Sequence, residues 1–221
     1  MPAKALLSWS GGKDSALSLY EIQITGDCIV ATLLTTVTED YDRISMHGVR
    51  RALPERQADA LNLPLKKIGI PKDATNGIYE SRLRAVLEEG LRDGIDTVVF
   101  GDIFLEDLRQ YRDKNLAQIG IKGLFPLWKR NTHDLARTFI ALGFKGVVVC
   151  VDTSILDGAF AGTPFDKQFL SDLPPNIDPC GENGEFHSFV VDGPNFKSAV
   201  RCTHGEVVVR DRFCSCDLLP A

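Results

Sequence analysis

Short apolar or β-branched runs recur along the chain, each separated from the next by a stretch with helical spacing. Ala5–Trp9, Cys28–Val37, Leu65–Ile70, Thr97–Gly101 and Gly146–Val151 read as strands. Between them, Asp14–Gln23, Leu53–Leu61, Ile78–Arg92, Leu105–Ile119 and Thr132–Leu142 read as helices. Pro54 falls in a first helical turn, where its missing N–H is not needed. Gly94 and Gly143 stand just past helix ends and act as stop signals. Strands that are apolar on both faces and alternate with helices indicate a parallel sheet covered on both sides. The expected fold is therefore α/β, a doubly wound, mainly parallel five-stranded sheet with right-handed crossovers.

After about Asp152 the texture changes. Residues 157–184 are rich in Gly, Pro and Asp and show little periodicity, as long functional or mobile loops do. Three short runs follow, FHSFVV (186–191), KSAVRC (197–202) and EVVVRD (206–211). The last two are expected to form a hairpin through Thr203-His204-Gly205. The tail reads as a smaller α+β unit containing antiparallel strands. The division is placed between a 1–130 α/β unit and a 131–221 C-terminal unit.

With 44% hydrophobic and 25% charged residues, the chain of 221 residues has the make-up of an ordinary globular protein. No apolar run approaches the roughly 20 residues that span a bilayer. The opening MPAKALLSW turns polar too soon for a signal peptide. Six cysteines, at 28, 150, 180, 202, 214 and 216, are scattered without a CxxC pair, which fits reduced thiols in a cytoplasm. A net charge of −5 argues against broad nucleic-acid binding.

The turn after the first strand, Ser10-Gly11-Gly12-Lys13-Asp14-Ser15, carries the chemistry. In a doubly wound sheet this turn lies at the carboxyl edge, where ligands bind. Glycines there let backbone N–H groups approach an anion, and the following helix N-terminus adds unsatisfied donors. Ser10 and Ser15 supply hydroxyls, and Lys13 a point charge. The result is a phosphate cradle. It is neither a GxxxxGK[ST] loop nor a GxGxxG fingerprint. Asp14 fits a metal ligand or a cap on the new helix. The bland reading, a glycine-bearing turn with a serine cap, leaves this concentration of phosphate-binding groups without a reason.

SGGKDS after an apolar strand resembles the pyrophosphate loop of the PP-loop ATP pyrophosphatases. Further stretches narrow the resemblance: Gly101-Asp102-Ile103 after the fourth strand, Pro126-Leu127-Trp128, Met46-His47 ahead of Gln57-Ala58, and Cys180-Gly181-Glu182-Asn183-Gly184-Glu185-Phe186. Together they resemble the diphthine–ammonia ligase family over Lys4 to about Val191. The resemblance implies a sheet of the HUP/PP-loop type and a C-terminal substrate unit. It also implies an enzyme that adenylates a carboxylate with ATP, releases AMP and pyrophosphate, and transfers ammonia to the activated acid. The family pattern is Glu-Gly-Gly-Glu-aromatic-Glu. Here Asn183 and His187 depart from it, at the substrate end of the site.

On this reading Ser10, Gly11, Gly12, Lys13, Asp14 and Ser15 bind the nucleotide, with Asp102, Arg112 and His47 as further contacts. Asp14 and Asp102 are the candidate Mg²⁺ ligands, and Asp102 is equally readable as a helix cap. Lys13, Asp14, Glu182 and Glu185 are the candidate catalytic residues. The two glutamates would orient or deprotonate ammonium, hold a second Mg²⁺, or form a solvated acidic turn. The basic run Arg109–Arg130 reads as a solvated helix face, with Arg112 the exception. His47 reads equally as a loop histidine, and His187 as structural or as a proton relay. Cys202, His204, Cys214 and Cys216 lack the usual zinc spacing. Cys180 has only His187 as a visible base.

Expected ligands and partners are ATP, Mg²⁺, ammonium, and elongation factor 2 or a small carboxylic acid, with a homodimer also compatible. No membrane or nucleic-acid partner is expected. Two other readings remain open: a PP-loop enzyme acting on another small acid, amide or RNA base, and a non-catalytic nucleotide-binding protein.

Overall fold

In the computed structural model, which describes residues 2–41, 43–44 and 48–221, the first strand is the centre of the fold. β1 (Ala3–Ser8) is hydrogen-bonded in parallel to β2 (Cys28–Thr38) on one side and β5 (Ile95–Val99) on the other. β4 (Leu65–Ile70) continues the sheet beyond β2, and β6 (Lys122–Leu124) beyond β5, both parallel. A short antiparallel strand, β3 (Arg43–Ile44), pairs with the end of β2. The parallel order is therefore β4-β2-β1-β5-β6. The chain steps outward from β1 in one direction and returns to lay down β5 on its other side. The gap between β1 and β5 is thus the switch point at which such sheets bind ligands.

Helices α1 (Lys13–Thr25), α2 (Ala52–Leu61), α3 (Asn76–Arg92), α4 (Glu106–Ala117) and α5 (Thr132–Ala141) lie where the periodicity places them. Alternation along β1 assigns the two faces. Leu6 packs with Leu87, Phe100, Leu116 and Phe125 beneath α3 and α4. Ala5 and Leu7 point the other way, into a core with Leu17, Leu19, Ile22 and Phe139. Most of α1 is buried, and its exposed residues are confined to the last turn, at Gln23, Ile24 and Thr25. Ser15, Ala16, Leu17, Ser18, Leu19 and Ile22 are all buried, because α1 packs against β1 and β2 on one side and the second sheet on the other.

That second sheet is antiparallel, in the order β8 (Phe186–Asp192), β7 (Lys145–Asp152), β10 (Phe213–Pro220), β9 (Cys202–Arg210). Two expectations are corrected here. Gly146–Val151 is not a strand of the parallel sheet. It forms the centre of the antiparallel one, and the fifth parallel strand is the short β6. Its apolar run has the same cause in either place, since Val148, Val149 and Val151 are buried on both faces. The tail hairpin also does not turn at Thr203-His204-Gly205. β9 runs straight through those residues, and the turn is Asp211-Arg212, with Asp211 at φ 53°. Residues 197–201 form no strand, although the Val200 N–H donates to the Val191 carbonyl.

The 157–184 stretch is more ordered than its composition suggests. A 3-10 turn at Gly158–Phe160 and α6 (Lys167–Asp172) interrupt it, each capped by an aspartate, Asp157 and Asp166. Phe165 and Phe169 anchor it against Phe186 and Phe139, with ring centroids 5.0–6.2 Å apart. Aromatic pairs of this kind contribute about 0.5–1.5 kcal/mol beyond the burial of their surface.

Candidate active site

The Ser10–Ser15 turn lies at the carboxyl end of β1 and runs into α1. Gly11 adopts φ 80°, and a Cβ there would sit 2.7 Å from Gln57 Oε1. Gly12 is the N-cap of α1 and has no side chain to cap it, so the first N–H groups are left to other partners. Ser10 Oγ accepts from the Gly12 N–H at 3.2 Å and lies 3.3 Å from Ser15 Oγ, which donates to the Gly12 carbonyl at 2.9 Å. The Lys13 N–H donates to Ser188 Oγ of β8 at 3.2 Å. Gly101, at the end of β5, approaches so closely that a Cβ would lie 3.0 Å from the Asp14 carbonyl carbon. Here glycine is required for space, because two backbone segments meet at the switch point.

Beneath the turn sits Gln57 of α2, fully buried. Its Oε1 accepts from Trp9 Nε1 at 2.9 Å, and its Nε2 donates to the carbonyls of Gly11 at 2.9 Å and Val190 at 2.6 Å. One amide thus joins β1, the turn and β8. The sequence carried a signal for it, since Gln57 stands four residues after Leu53 and four before Leu61, on the apolar stripe of α2. Ser188 was legible in the same way, at the inward position between Phe186 and Val190.

Lys13 is buried. Its Nζ donates to Asp14 Oδ2 at 2.8 Å and to the main-chain carbonyl of Cys180. Burial alone would lower its pKa, but Asp14 and, further off, Cys180 and Glu182 reverse the effect and raise it, so it stays charged. Asp14 is the accessible half of the pair, at 29% exposure against 6% for Lys13. Burial pushes the Asp14 carboxyl above its usual range despite Lys13. The ammonium therefore stands at the junction of the turn and the 178–186 loop, and the carboxylate is the more exposed partner.

Glu182 reaches across from that loop, and the Ile103 N–H hydrogen-bonds its carboxylate. Burial, Asp14 and Asp102 push its pKa up to about 7, against the opposing charge of Lys13. Asp102 is raised by burial and by Asp14, with Arg112 opposing. Its Oδ2 forms an ion pair with Arg112 Nε at 2.7 Å that does not meet hydrogen-bond geometry, and its Oδ1 accepts from Arg112 Nη2 at 3.3 Å. Arg112 also stacks over Phe100, 4.2 Å from the ring centroid. The remaining basic run is structural at Arg109, whose guanidinium covers Phe125 and Trp128.

Glu185 is placed differently from Glu182. It is buried and accepts from the Asp178 N–H (3.2 Å), the Asn183 N–H (2.9 Å) and Asn183 Nδ2 (2.9 Å). It shapes the loop from inside and does not join the Lys13–Asp14–Glu182 group. Asn183, one of the two departures from the family pattern, is its partner. His187, the other, is half-buried on β8 opposite Cys150, and burial and Lys13 lower its pKa. Cys180 Sγ donates to the Thr132 carbonyl at 3.3 Å, and burial pushes its thiol up to about 12, far from a nucleophile's range. His47, together with Met46, lies outside the described residues.

A cavity of about 520 Å³ adjoins the turn, between the ends of β1, β2 and β5 and helices α3 and α4. Trp9, Phe100 and Tyr79 give it aromatic walls, and Arg112 stands on it. Thr35 of β2 lines it with a buried hydroxyl that has no hydrogen-bond partner among the described residues. Those residues hold no group of three His, Cys, Asp or Glu side chains able to bind a metal by themselves. Mg²⁺ usually takes one or two protein carboxylates and shares the rest of its shell with phosphates and water. Asp14, 29% exposed beside Lys13, fits that arrangement, and Asp102 fits it only by sharing its carboxylate with Arg112. Among the described residues no helix is long and apolar enough to cross a membrane.

Residues 3–123 match the family model described as the diphthamide synthase N-terminal domain, and residues 131–216 the model of the diphthamide synthase C-terminal domain. Curated proteins named diphthine–ammonia ligase are similar to it. Those of Bos taurus and Homo sapiens are each 26% identical, over 90% of this chain and 82% and 83% of their own. Among solved structures, a predicted subunit of tRNA methyltransferase from Methanocaldococcus jannaschii aligns with a TM-score of 0.43 and 19% identity, over 72% of this chain and 84% of that one.

Proposed function

The chain belongs to the diphthamide synthase family, and from that premise we propose that it is an ATP-dependent, AMP-forming ligase that joins ammonia to a carboxylate, the last step of diphthamide formation. The observation that carries this reading is the junction at Lys13. The anion-binding turn at the switch point and the glutamate-bearing loop of the C-terminal unit meet on one buried ammonium.

The β and γ phosphates of ATP rest on the turn, against the helix N-terminus. The adenosine occupies the neighbouring cavity, where the Thr35 hydroxyl meets the base. A carboxylate oxygen of the substrate attacks the α phosphorus. The bond to the bridging oxygen breaks, and pyrophosphate leaves with its charge met by Lys13 and the turn. Ammonia then attacks the acyl carbon and AMP departs. Glu182, with a pKa near the working pH, takes the proton from ammonium. Mg²⁺, held by Asp14 and Asp102, would supply neutralisation of phosphate charge. Glu185 holds the loop that presents Glu182. Most of the rate then comes from positioning and fixed charge.

A second reading, the same chemistry on a smaller acid, is favoured by one observation: a histidine, His187, stands on β8 beside Lys13 where the family pattern has a glutamate. A product assay separates the two. Protein with Mg·ATP and ammonium is given either diphthine-bearing elongation factor 2 or a panel of small acids. AMP and pyrophosphate that depend on the factor are expected. Dependence on a small acid moves the substrate and keeps the chemistry. ADP and phosphate overturn the mechanism. ATP bound without turnover in either arm supports a non-catalytic nucleotide-binding protein.

A further inference from the structure

β9 is an edge strand, bonded to β10 on one side only. Residues 206–210 are exposed without exception, and Val207, Val208 and Val209 are 56%, 36% and 63% exposed. Edge strands of soluble proteins are normally blunted by inward charges, proline or a bulge. This one has its bulge at Gly205-Glu206, two residues opposite Asp217, and from there to the turn it presents three consecutive valines between a glutamate and an arginine, in the order Glu206-Val207-Val208-Val209-Arg210. Among the described residues neither Glu206 nor Arg210 has an ion-pair partner within the chain.

We propose that β9 pairs with β9 of a second copy of the chain, antiparallel, about a two-fold axis through Val208. Three observations select this occupant and this register. The segment is complementary to its own reverse: the axis sets Glu206 opposite Arg210 twice, Val207 opposite Val209 twice, and Val208 opposite itself. Opposite charges directly across an antiparallel pair are favourable and like charges are not. The main chain agrees. Arg210 and Phe213 close the two-residue turn, so alternation directs the N–H and C=O groups of Val207 and Val209 to the open edge. Those are the residues the axis places face to face. The pairing also buries the exposed valines against one another, which an unpaired edge leaves in water. The eight-strand sheet so formed would be continuous across both copies. One strand from each copy buries less than the roughly 1,200–2,000 Å² of a standard stable interface, so the dimer is a weak, concentration-dependent one.

The test is sedimentation of the full chain over a wide range of concentration, with melting temperature as the check on folding. The wild type is expected to shift from a 24.3 kDa monomer toward a dimer as concentration rises. Glu206→Arg and Arg210→Glu singly place like charges opposite each other and are expected to weaken association at least tenfold. The double variant E206R/R210E restores complementarity and is expected to restore the dimer. Val208→Lys sets two ammonium groups on the axis and is expected to leave a monomer. A wild type that stays monomeric throughout, or a dimer indifferent to both single reversals, overturns the proposal. Should a single reversal lower the melting temperature, the double variant decides. Rescue supports the pairing, and a folded monomeric double variant overturns it.

Discussion

Lys13 donates from Nζ to the main-chain carbonyl of Cys180, 167 positions further along the chain. A buried ammonium needs such acceptors, since an unpaired one would neutralise itself. The Ser10–Ser15 turn and the 178–186 loop are therefore not independent. Ordering of the loop and charge at the turn depend on one side chain. Lys13→Ala is expected to lower pyrophosphate release about 10²–10³-fold, the usual effect of removing one charge-stabilising donor. It is also expected to speed hydrogen exchange in 178–186. Exchange unchanged in that loop would show that the Cys180 contact does not order it.

Glu182 supplies a pH signature with a definite sign. Its folded pKa, about 7, lies above the 4.5 of an unperturbed glutamate. In the proposed mechanism amide formation needs the carboxylate, so the rate is expected to rise with pH through about 7. Glu182→Gln is expected to lose that limb along with about 10²–10⁴ in kcat, while ATP binding is kept. Stability runs the opposite way. The folded state prefers the protonated form, so the favourable contribution is complete below pH 4.5 and is lost as pH rises through 7. Glu182→Gln is thus expected to melt above the wild type at pH 8, with the gap closing toward pH 4.5. Thermal melts at both pH values check this.

Glu185 is expected to behave as a structural residue. Glu185→Ala removes the acceptor of the part-buried Asp178 and Asn183 N–H groups, at up to about 1–3 kcal/mol for each one that water does not reach. The melting temperature should fall, and the acid limb of the residual activity should stay near pH 7. A moved limb would return Glu185 to proton transfer.

Gln57→Leu roughly conserves volume and removes the amide. The Trp9 indole N–H and the Val190 carbonyl would lose their side-chain partner in the core, while the Gly11 carbonyl would keep only the Val190 N–H, at 2.9 Å. A loss of about 2 kcal/mol or more is expected, read by denaturant unfolding. ATP affinity is expected to fall with it, because the Gly11 carbonyl is part of the turn.

Thr35→Val is expected to leave stability unchanged or slightly improved, since the hydroxyl is unpartnered among the described residues. Nucleotide affinity is expected to fall up to about tenfold, the worth of one hydrogen bond. Calorimetric titration with ATP measures it. Unchanged affinity would place the base elsewhere in the cavity.

The parallel half of the fold was legible because its signals are local. β1, β2, β4 and β5 show as runs, their helices as periodicity, and the turn as a dense motif. The errors arose where burial pattern alone had to choose a partner. Val147–Val151 looks the same in a parallel or an antiparallel sheet when both faces are covered. Thr203-His204-Gly205 has turn composition, yet glycine can also sit in an exposed edge strand. At the site, the sequence put Glu182 and Glu185 on one footing, because spacing does not say which carboxylate turns inward. Asn183 decided that by hydrogen bonding to Glu185. The junction of Lys13 with Cys180 had no signal at all, since its acceptor is a main-chain carbonyl.

The doubly covered α1 has a further consequence. A helix buried by two sheets at once cannot lose one without exposing its apolar surface to water, so neither sheet has a complete core alone. The protein should therefore melt in a single cooperative transition, with calorimetric and van't Hoff enthalpies in agreement. The slowest-exchanging amides should lie in α1 and in the strands that flank it, β1 and β8. The helix proposed to receive the nucleotide at its first turn would then be the last part of the chain to come apart, and ligand bound there would raise the stability of both sheets together.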